Sequence, residues 1–323
     1  MKIKQARILF LQNLSDIGRS PNTIKSYDTD LDQFLFFLNK HQLSEIQIDD
    51  LTYPLISQFF HEHTSHLAIS SQKRKRTVLK RFLKFCYQKK LCNTKVWELV
   101  DVVYQKNSQG PKEVLSSDEI QKIFEILNQD IERKIQNLNQ TFAPTQRELH
   151  QLYVLFRNRL LIYILLFTGC RAYEAVSIQK GNVKLTTNTL GIIAKGNKYN
   201  EVPIHIQLKY AFFEYENGIQ LLQQAGYQCI DSPWLFPSIK NPQNHISTRT
   251  LYDFMLELST HLHRKIHAHL FRHTFASYSI ASGMNIRTLA SIISHANPSI
   301  TLSIYTHEIN AKQKQEEIQK LVF

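Results

Sequence analysis

Four residues late in the chain combine the side-chain types needed to handle a phosphate: His269 and Arg272, three apart, then His295 and Tyr305, ten apart. Residues three apart share one face of a helix. The apolar run through Leu270, Phe271, Phe275, Ala276, Tyr278 and Ile280, ended by Gly283, predicts such a helix. A phosphate fits between the imidazole and the guanidinium on that face. The same residues also have a plain structural reading, since a histidine on an apolar helix often serves the core through a hydrogen bond, and Tyr305 is one of 14 tyrosines. His269 and His273 stand one turn apart with His267 close by, a spacing also found in zinc-binding helices. Leu270 stands where such a helix needs a glutamate and no third ligand stands out, so no metal is expected.

A second cluster lies upstream. Thr168-Gly169-Cys170-Arg171-Ala172-Tyr173-Glu174 follows the apolar run 160–167, which predicts a buried helix and, at eight residues, is too short for a membrane span. Gly169 allows a sharp break of the backbone. Arg171 would then open the next helix with its guanidinium facing a cleft and Glu174 holding it, although an ordinary Arg171–Glu174 ion pair fits the same spacing. Beyond it the period changes. Val183 and Leu185, then Leu190, Ile192 and Ile193, then Val202, Ile204 and Ile206 predict three short strands, with Lys195 and Lys198 in the Ala194-Lys195-Gly196-Asn197-Lys198 turn.

The elements that must carry these groups fall into two domains. At 323 residues and 43% apolar content the chain can bury a core in each. Asn107, Ser108, Gly110 and Pro111 mark a linker at 106–112, so we divide the chain into a first domain at 1–105 and a second at 113–323. Ser116 with Glu119 forms a capping box that opens a helix to about Leu127. The polar stretch 128–151, interrupted by Pro144, has no assigned role, and a helix is expected over 249–263.

In the first domain, Ser20 and Pro21 start a helix to about Asn39, whose Ile24, Tyr27, Leu31, Phe34, Leu35 and Leu38 make one buried stripe. Further helices are expected over 6–17, 48–63 and 71–88, giving a helical bundle. The last holds Lys73, Arg74, Lys75, Arg76, Lys80, Arg81 and Lys84, and no acidic residue occurs between Glu62 and Glu98. With a net charge of +12 this points to a polyanion, nucleic acid before membrane. A basic amphipathic helix can also serve solubility or an anionic membrane. No secretory signal core follows the N-terminal MKIKQAR, and Cys86, Cys92, Cys170 and Cys229 lack CxxC spacing, so a cytoplasmic protein with buried thiols is expected.

HxxR followed by His295 and Tyr305, TGxRxxE in TGCRAYE, and AKGNK as a GKGxK-like turn together resemble the tyrosine recombinases. SPNTIKSYDTDLDQFLFFL followed by RxxxxLKRFLKFCYQKK is similar to the N-terminal core-binding domain of Xer-type recombinases and phage integrases, as a helical pattern rather than a chemical signature. The resemblance implies a mainly α fold with a small antiparallel sheet: a helical-bundle core-binding domain plus a mixed α/β catalytic domain, the two gripping a DNA duplex from opposite faces. It implies a catalytic set of Arg171, Lys195, His269, Arg272, His295 and Tyr305, supported by Glu174. Phosphate contacts would come from Lys73, Arg74, Arg76, Lys80, Arg81, Lys84 and Lys198.

In such enzymes the tyrosine attacks a DNA phosphodiester, forms a 3′-phosphotyrosyl bond and releases a 5′-hydroxyl, with no metal or cofactor. The residue types suit that chemistry. Tyrosine, with a pKa of ~10, needs a base, which His269 could be. Arg171 and Arg272 can clamp the non-bridging oxygens. Lys195 is expected to protonate the leaving oxygen, with Lys198 its alternate, and His295 to add a hydrogen bond. The His295-to-Tyr305 spacing is one position longer than the family's usual one, which we assign to the loop 296–299; Tyr278 is the alternative nucleophile, disfavoured because its helix already carries His269 and Arg272.

The implied partners are double-stranded DNA bearing a specific site, a homotetramer bridging two such sites, and an activating protein. A tail helix from Glu308 to Ile318 would dock on a neighbouring subunit. The layout before residue 20 favours Xer-type resolution of chromosome or plasmid dimers. The alternatives are a mobile-element integrase, a type IB topoisomerase and a non-catalytic architectural DNA-binding protein.

Overall fold

The computed structural model of the protein describes residues 1–102, 113–194 and 196–294, and its chain divides into units Met1–Ser108 and Gln109–Phe323. In the first unit, α1 (Ile3–Asp16), α2 (Pro21–Lys40), α3 (Tyr53–Thr64) and α4 (Ile69–Gln88) form a bundle. The Ser20 hydroxyl accepts from the Thr23 N–H at 3.3 Å, and Pro21 occupies the first turn, where a missing N–H costs no bond. The expected helix over 48–63 is instead a 3-10 turn, Ile48–Asp50, followed by α3. Pro54 explains the break: it is tolerated in a first turn but would remove an N–H from a helix interior.

The core of this bundle is aromatic. Phe34 meets Phe59 edge-on at 4.9 Å, and Phe37, outside the expected stripe of α2, is fully buried against Phe59 at 5.5 Å. Each such ring contributes ~1.5–3 kcal/mol through burial. Phe36, one residue earlier, is exposed.

The second unit opens with two long helices, α5 (Ser117–Asn139) and α6 (Gln146–Thr168). They run antiparallel, with Phe124 stacked on Tyr163 at 4.4 Å and Lys134 bonded to Gln151 at 2.7 Å. Thus α5 does not end near Leu127. It continues through the polar stretch, because Ile131 keeps a buried face while the rest is solvated. Thr145 and Glu148 form a second capping box just after Pro144 and start α6. Although α6 is long and apolar enough to cross a membrane, its Leu160, Leu161, Ile164 and Leu165 are core residues of this unit.

After α6 come α7 (Ala172–Val176), then β1 (Val183–Lys184), β2 (Thr189–Ala194) and β3 (Lys198–Pro203), paired antiparallel in that order. The register places Ile192 opposite Asn200 and Ala194 opposite Lys198. A helix absent from the sequence reading follows: α8 (Ile206–Gln224) packs on α6 so closely that a Cβ at Gly218 would stand 2.9 Å from the Phe156 ring. The unit continues through α9 (Thr248–Leu262), α10 (Ala268–Ala281) and α11 (Ile286–Ile292).

Three thiols are buried as expected, but Cys229 is exposed. Burial pushes Cys86 and Cys170 up to about 12, so neither is a nucleophile at neutral pH.

Candidate active site

The site is assembled around the end of α6. Gly169 closes that helix at φ +60, the left-handed region that favours glycine, and a Cβ there would collide with Phe275 at 2.5 Å. The chain turns, and Arg171 becomes the N-cap residue of α7. Glu174, buried at 4% exposure, accepts from the Arg171 N–H at 2.8 Å and from its guanidinium at 2.7 Å. The Arg171–Glu174 ion pair that the spacing allowed is therefore present, with the arginine partly exposed. Glu174 binds one edge of the guanidinium, while Nη2 reaches the Ser294 carbonyl at 3.5 Å and the side chain stays one-third exposed.

Arg272 enters from α10 and is buried. Its Nη1 donates to the Gly169 carbonyl at 2.8 Å and its Nη2 to the Ile293 carbonyl at 2.7 Å. The two arginines therefore converge on consecutive carbonyls just past α11. These carbonyls sit at a helix C-terminus, where they lack intrahelical partners and carry the negative end of the dipole.

His269 lies one turn before Arg272 on α10 and is exposed. Partial loss of water around its ring, then the charges of Arg272 and Arg171, hold its pKa below the usual imidazole value. The ring is therefore neutral at pH 7 and can accept a proton. His267, by contrast, caps α10, its Nδ1 accepting from the Leu270 N–H at 3.1 Å. Tyr278 is nine residues beyond His269, about 180° around the helix at ~100° per residue. Its hydroxyl meets Ser117 at 3.3 Å, away from the arginines.

Asn200 on β3 was missed by sequence reasoning. Its Nδ2 lies 3.2 Å from the Ser291 carbonyl, 2.9 Å from the Ile292 carbonyl and 2.9 Å from the Ser294 hydroxyl. No periodicity marks such a residue, since its partners, two backbone carbonyls and one hydroxyl, are distant in sequence. Lys195, His295, Tyr305 and the expected tail helix lie outside the described residues. A cavity of about 700 Å³ beside Tyr153, Tyr215 and Tyr227 is lined by none of the arginine and histidine groups above.

On α4, Lys73, Arg74, Arg81 and Lys84 are exposed. Arg74 also pairs with Asp30 at 2.8 Å, and Arg81 bonds the Tyr27 hydroxyl at 2.5 Å. Arg76 lies 4.1 Å over the Phe60 ring and Lys80 donates to the Val100 carbonyl at 3.3 Å, so both are partly drawn into the bundle. Lys75 is buried against Asp30 and Gln33. In the second unit, Lys198 is exposed at the start of β3.

Known proteins resemble this chain in sequence and in fold. The model of the phage integrase family matches residues 113–312, and that of the phage integrase N-terminal SAM-like domain matches residues 8–90. Tyrosine recombinase XerD of Rhizobium meliloti is 27% identical over 314 residues, covering 94% of this chain and 90% of its own length. Tyrosine recombinase XerC of Staphylococcus aureus is 24% identical over 300 residues, covering 92% and 89%. Among solved structures, XerH bound to its difH substrate before cleavage superposes with a TM-score of 0.62 at 20% identity, covering 92% of this chain and 79% of that one. A lambda integrase dimer on a COC′ core site gives 0.64 at 13% identity, covering 93% and 97%. These likenesses share the fold described above.

Proposed function

Because the chain belongs to the phage integrase family, we propose that it is a site-specific tyrosine recombinase of Xer type, which cuts and rejoins DNA by transesterification. The observation that carries this reading is the convergence of Arg171 and Arg272 from separate elements onto neighbouring carbonyls, with His269 one turn away. The Tyr305 oxygen forms a bond to phosphorus as the bond to the 5′-oxygen breaks. The tyrosine proton passes to His269, whose depressed pKa keeps it ready to accept. Arg171 and Arg272 carry the charge that builds on the non-bridging oxygens. Lys195 returns a proton to the leaving 5′-oxygen, and His295 donates a further hydrogen bond. The linkage energy stays in the phosphotyrosine, so a second 5′-hydroxyl can reverse the step without ATP.

The names of the relatives support Xer-type action, and the DNA-bound neighbours support a duplex carrying a defined recombination site as partner. A homotetramer on two sites, an activating protein and action in the cytoplasm complete the proposal. The exposed lysines and arginines of α4 suit phosphate tracking.

A nicked suicide duplex carrying the candidate site tests the chemistry. The wild-type chain is expected to yield a denaturation-resistant protein–DNA adduct and Tyr305→Phe none, a rate loss of at least ~10⁴. An adduct that persists in Tyr305→Phe would sink the assignment. Resolution of two direct repeats on one plasmid, against insertion into a second DNA, separates the Xer role from mobile-element integration.

A further inference from the structure

Asn200 links two elements that meet nowhere in the sequence. Its amide group has two N–H donors and three acceptors within reach, the Ser291 and Ile292 carbonyls and the Ser294 hydroxyl, so one donor is shared. The Ser291 and Ile292 carbonyls belong to the last turn of α11, where intrahelical donors run out; the Ser291 carbonyl also accepts from the Ser294 N–H at 3.1 Å. Immediately beyond, the Ile293 carbonyl holds Arg272 and the Ser294 carbonyl holds Arg171. Ser294 itself sits at φ +53, a conformation that side-chain-bearing residues adopt only when their surroundings impose it. Asn200 supplies part of that imposition through the Ser294 hydroxyl.

We propose that Asn200 is a positioning residue for the arginine pair: by capping α11 and fixing Ser294, it sets the two carbonyls on which Arg272 and Arg171 rest. Its hydrogen bonds among the described residues go to the Ser291 and Ile292 carbonyls and the Ser294 hydroxyl rather than to Arg171, Arg272 or His269. Its effect passes through the orientation of the guanidinium donors toward the phosphate, where a displacement of ~1 Å can cost ~100-fold in rate. The inference rests on the tyrosine recombinase reading of the site.

The test compares single-turnover adduct formation on a phosphodiester with that on a methylphosphonate, whose missing non-bridging charge leaves the arginines little to stabilise. Asn200→Asp keeps the shape but cannot donate to the carbonyls, and Asn200→Ala removes the group. Both variants should cut the phosphodiester as much as ~100-fold more slowly, bind the duplex as tightly as wild type, and approach the wild-type rate on the methylphosphonate. Equal losses on the two substrates, or no loss on the phosphodiester, would overturn the proposal. So would unfolding of both variants in a thermal melt, which would make Asn200 a stability residue. A wild-type chain that forms no Tyr305-dependent adduct overturns the reading of the site itself, whereas a normal wild-type adduct with unaltered Asn200 variants overturns this inference alone.

Discussion

Lys75 on α4 and Arg272 on α10 are both buried cations, yet one is consumed by the fold and the other is aimed by it. Lys75 meets a carboxylate, Asp30, at 2.9 Å, so its charge is neutralised inside the first unit. Arg272 is held by two neutral carbonyls, Gly169 and Ile293, which fix its orientation while leaving its formal charge uncancelled by them. Acidic partners turn a cation into structure. Carbonyl partners turn it into an oriented field that an anion can meet.

The sharpest way to break this contrast is Arg272→Lys. A lysine keeps the charge but has no planar fork to bridge both carbonyls and a phosphate. Adduct formation should fall ~100–1,000-fold, or ~2.7–4 kcal/mol of transition-state stabilisation, while DNA affinity changes little. Single-turnover cleavage alongside a binding titration checks it. A loss confined to binding would mean that Arg272 serves recognition and not chemistry.

Lys75→Met probes the other side. Removing it leaves the nearly buried Asp30 with only Arg74, which is half exposed. A broken buried pair of this kind costs about 3 kcal/mol. Denaturant unfolding should show that loss, and the salt dependence of DNA binding by the folded protein should not move. Unchanged stability would show that the half-exposed Arg74 already satisfies Asp30.

The difference between these cations was only partly legible in the sequence. Local signals carried well: Ser20-Pro21 and the Ser116 and Glu119 capping box each opened the helix expected, and three strands formed, although β3 ends at Pro203 and Ile206, expected in the third strand, instead begins α8. Gly169, Arg171 and Glu174 also read correctly, because a left-handed glycine, an N-cap and a three-residue hydrogen bond are local geometry. By contrast, α8 was passed over although Leu208, Ala211, Phe212, Tyr215 and Leu222 repeat at helical spacing; the preceding strands drew attention to the wrong period. The α5 continuation was hidden by its polar composition. Asn200 and the α11 carbonyls could not be read at all, since backbone acceptors carry no sequence signature. Nor does a run of basic residues disclose that Lys75 faces Asp30, a partner 45 positions away.

The smallest expected effect comes from the cations that α4 leaves in solvent. Lys73 and Lys84 are exposed, and among the described residues the side-chain amine of neither makes a hydrogen bond or ion pair; Lys73 takes part only through its backbone carbonyl, which accepts from the Thr77 hydroxyl at 2.8 Å. Arg81 and Arg74 are exposed too, but the Tyr27 hydroxyl and Asp30 already engage them. If α4 tracks phosphates, each free lysine releases about one counterion on binding. The double variant Lys73→Ala, Lys84→Ala should therefore flatten the slope of log affinity against log salt by ~2, with stability within ~0.5 kcal/mol of wild type. A titration of duplex binding across several salt concentrations measures that slope. An unchanged slope would assign the exposed row of α4 to solubility and leave phosphate contact to other residues. A flattened slope here, together with an unmoved one in Lys75→Met, would separate the two fates of a lysine on a single helix.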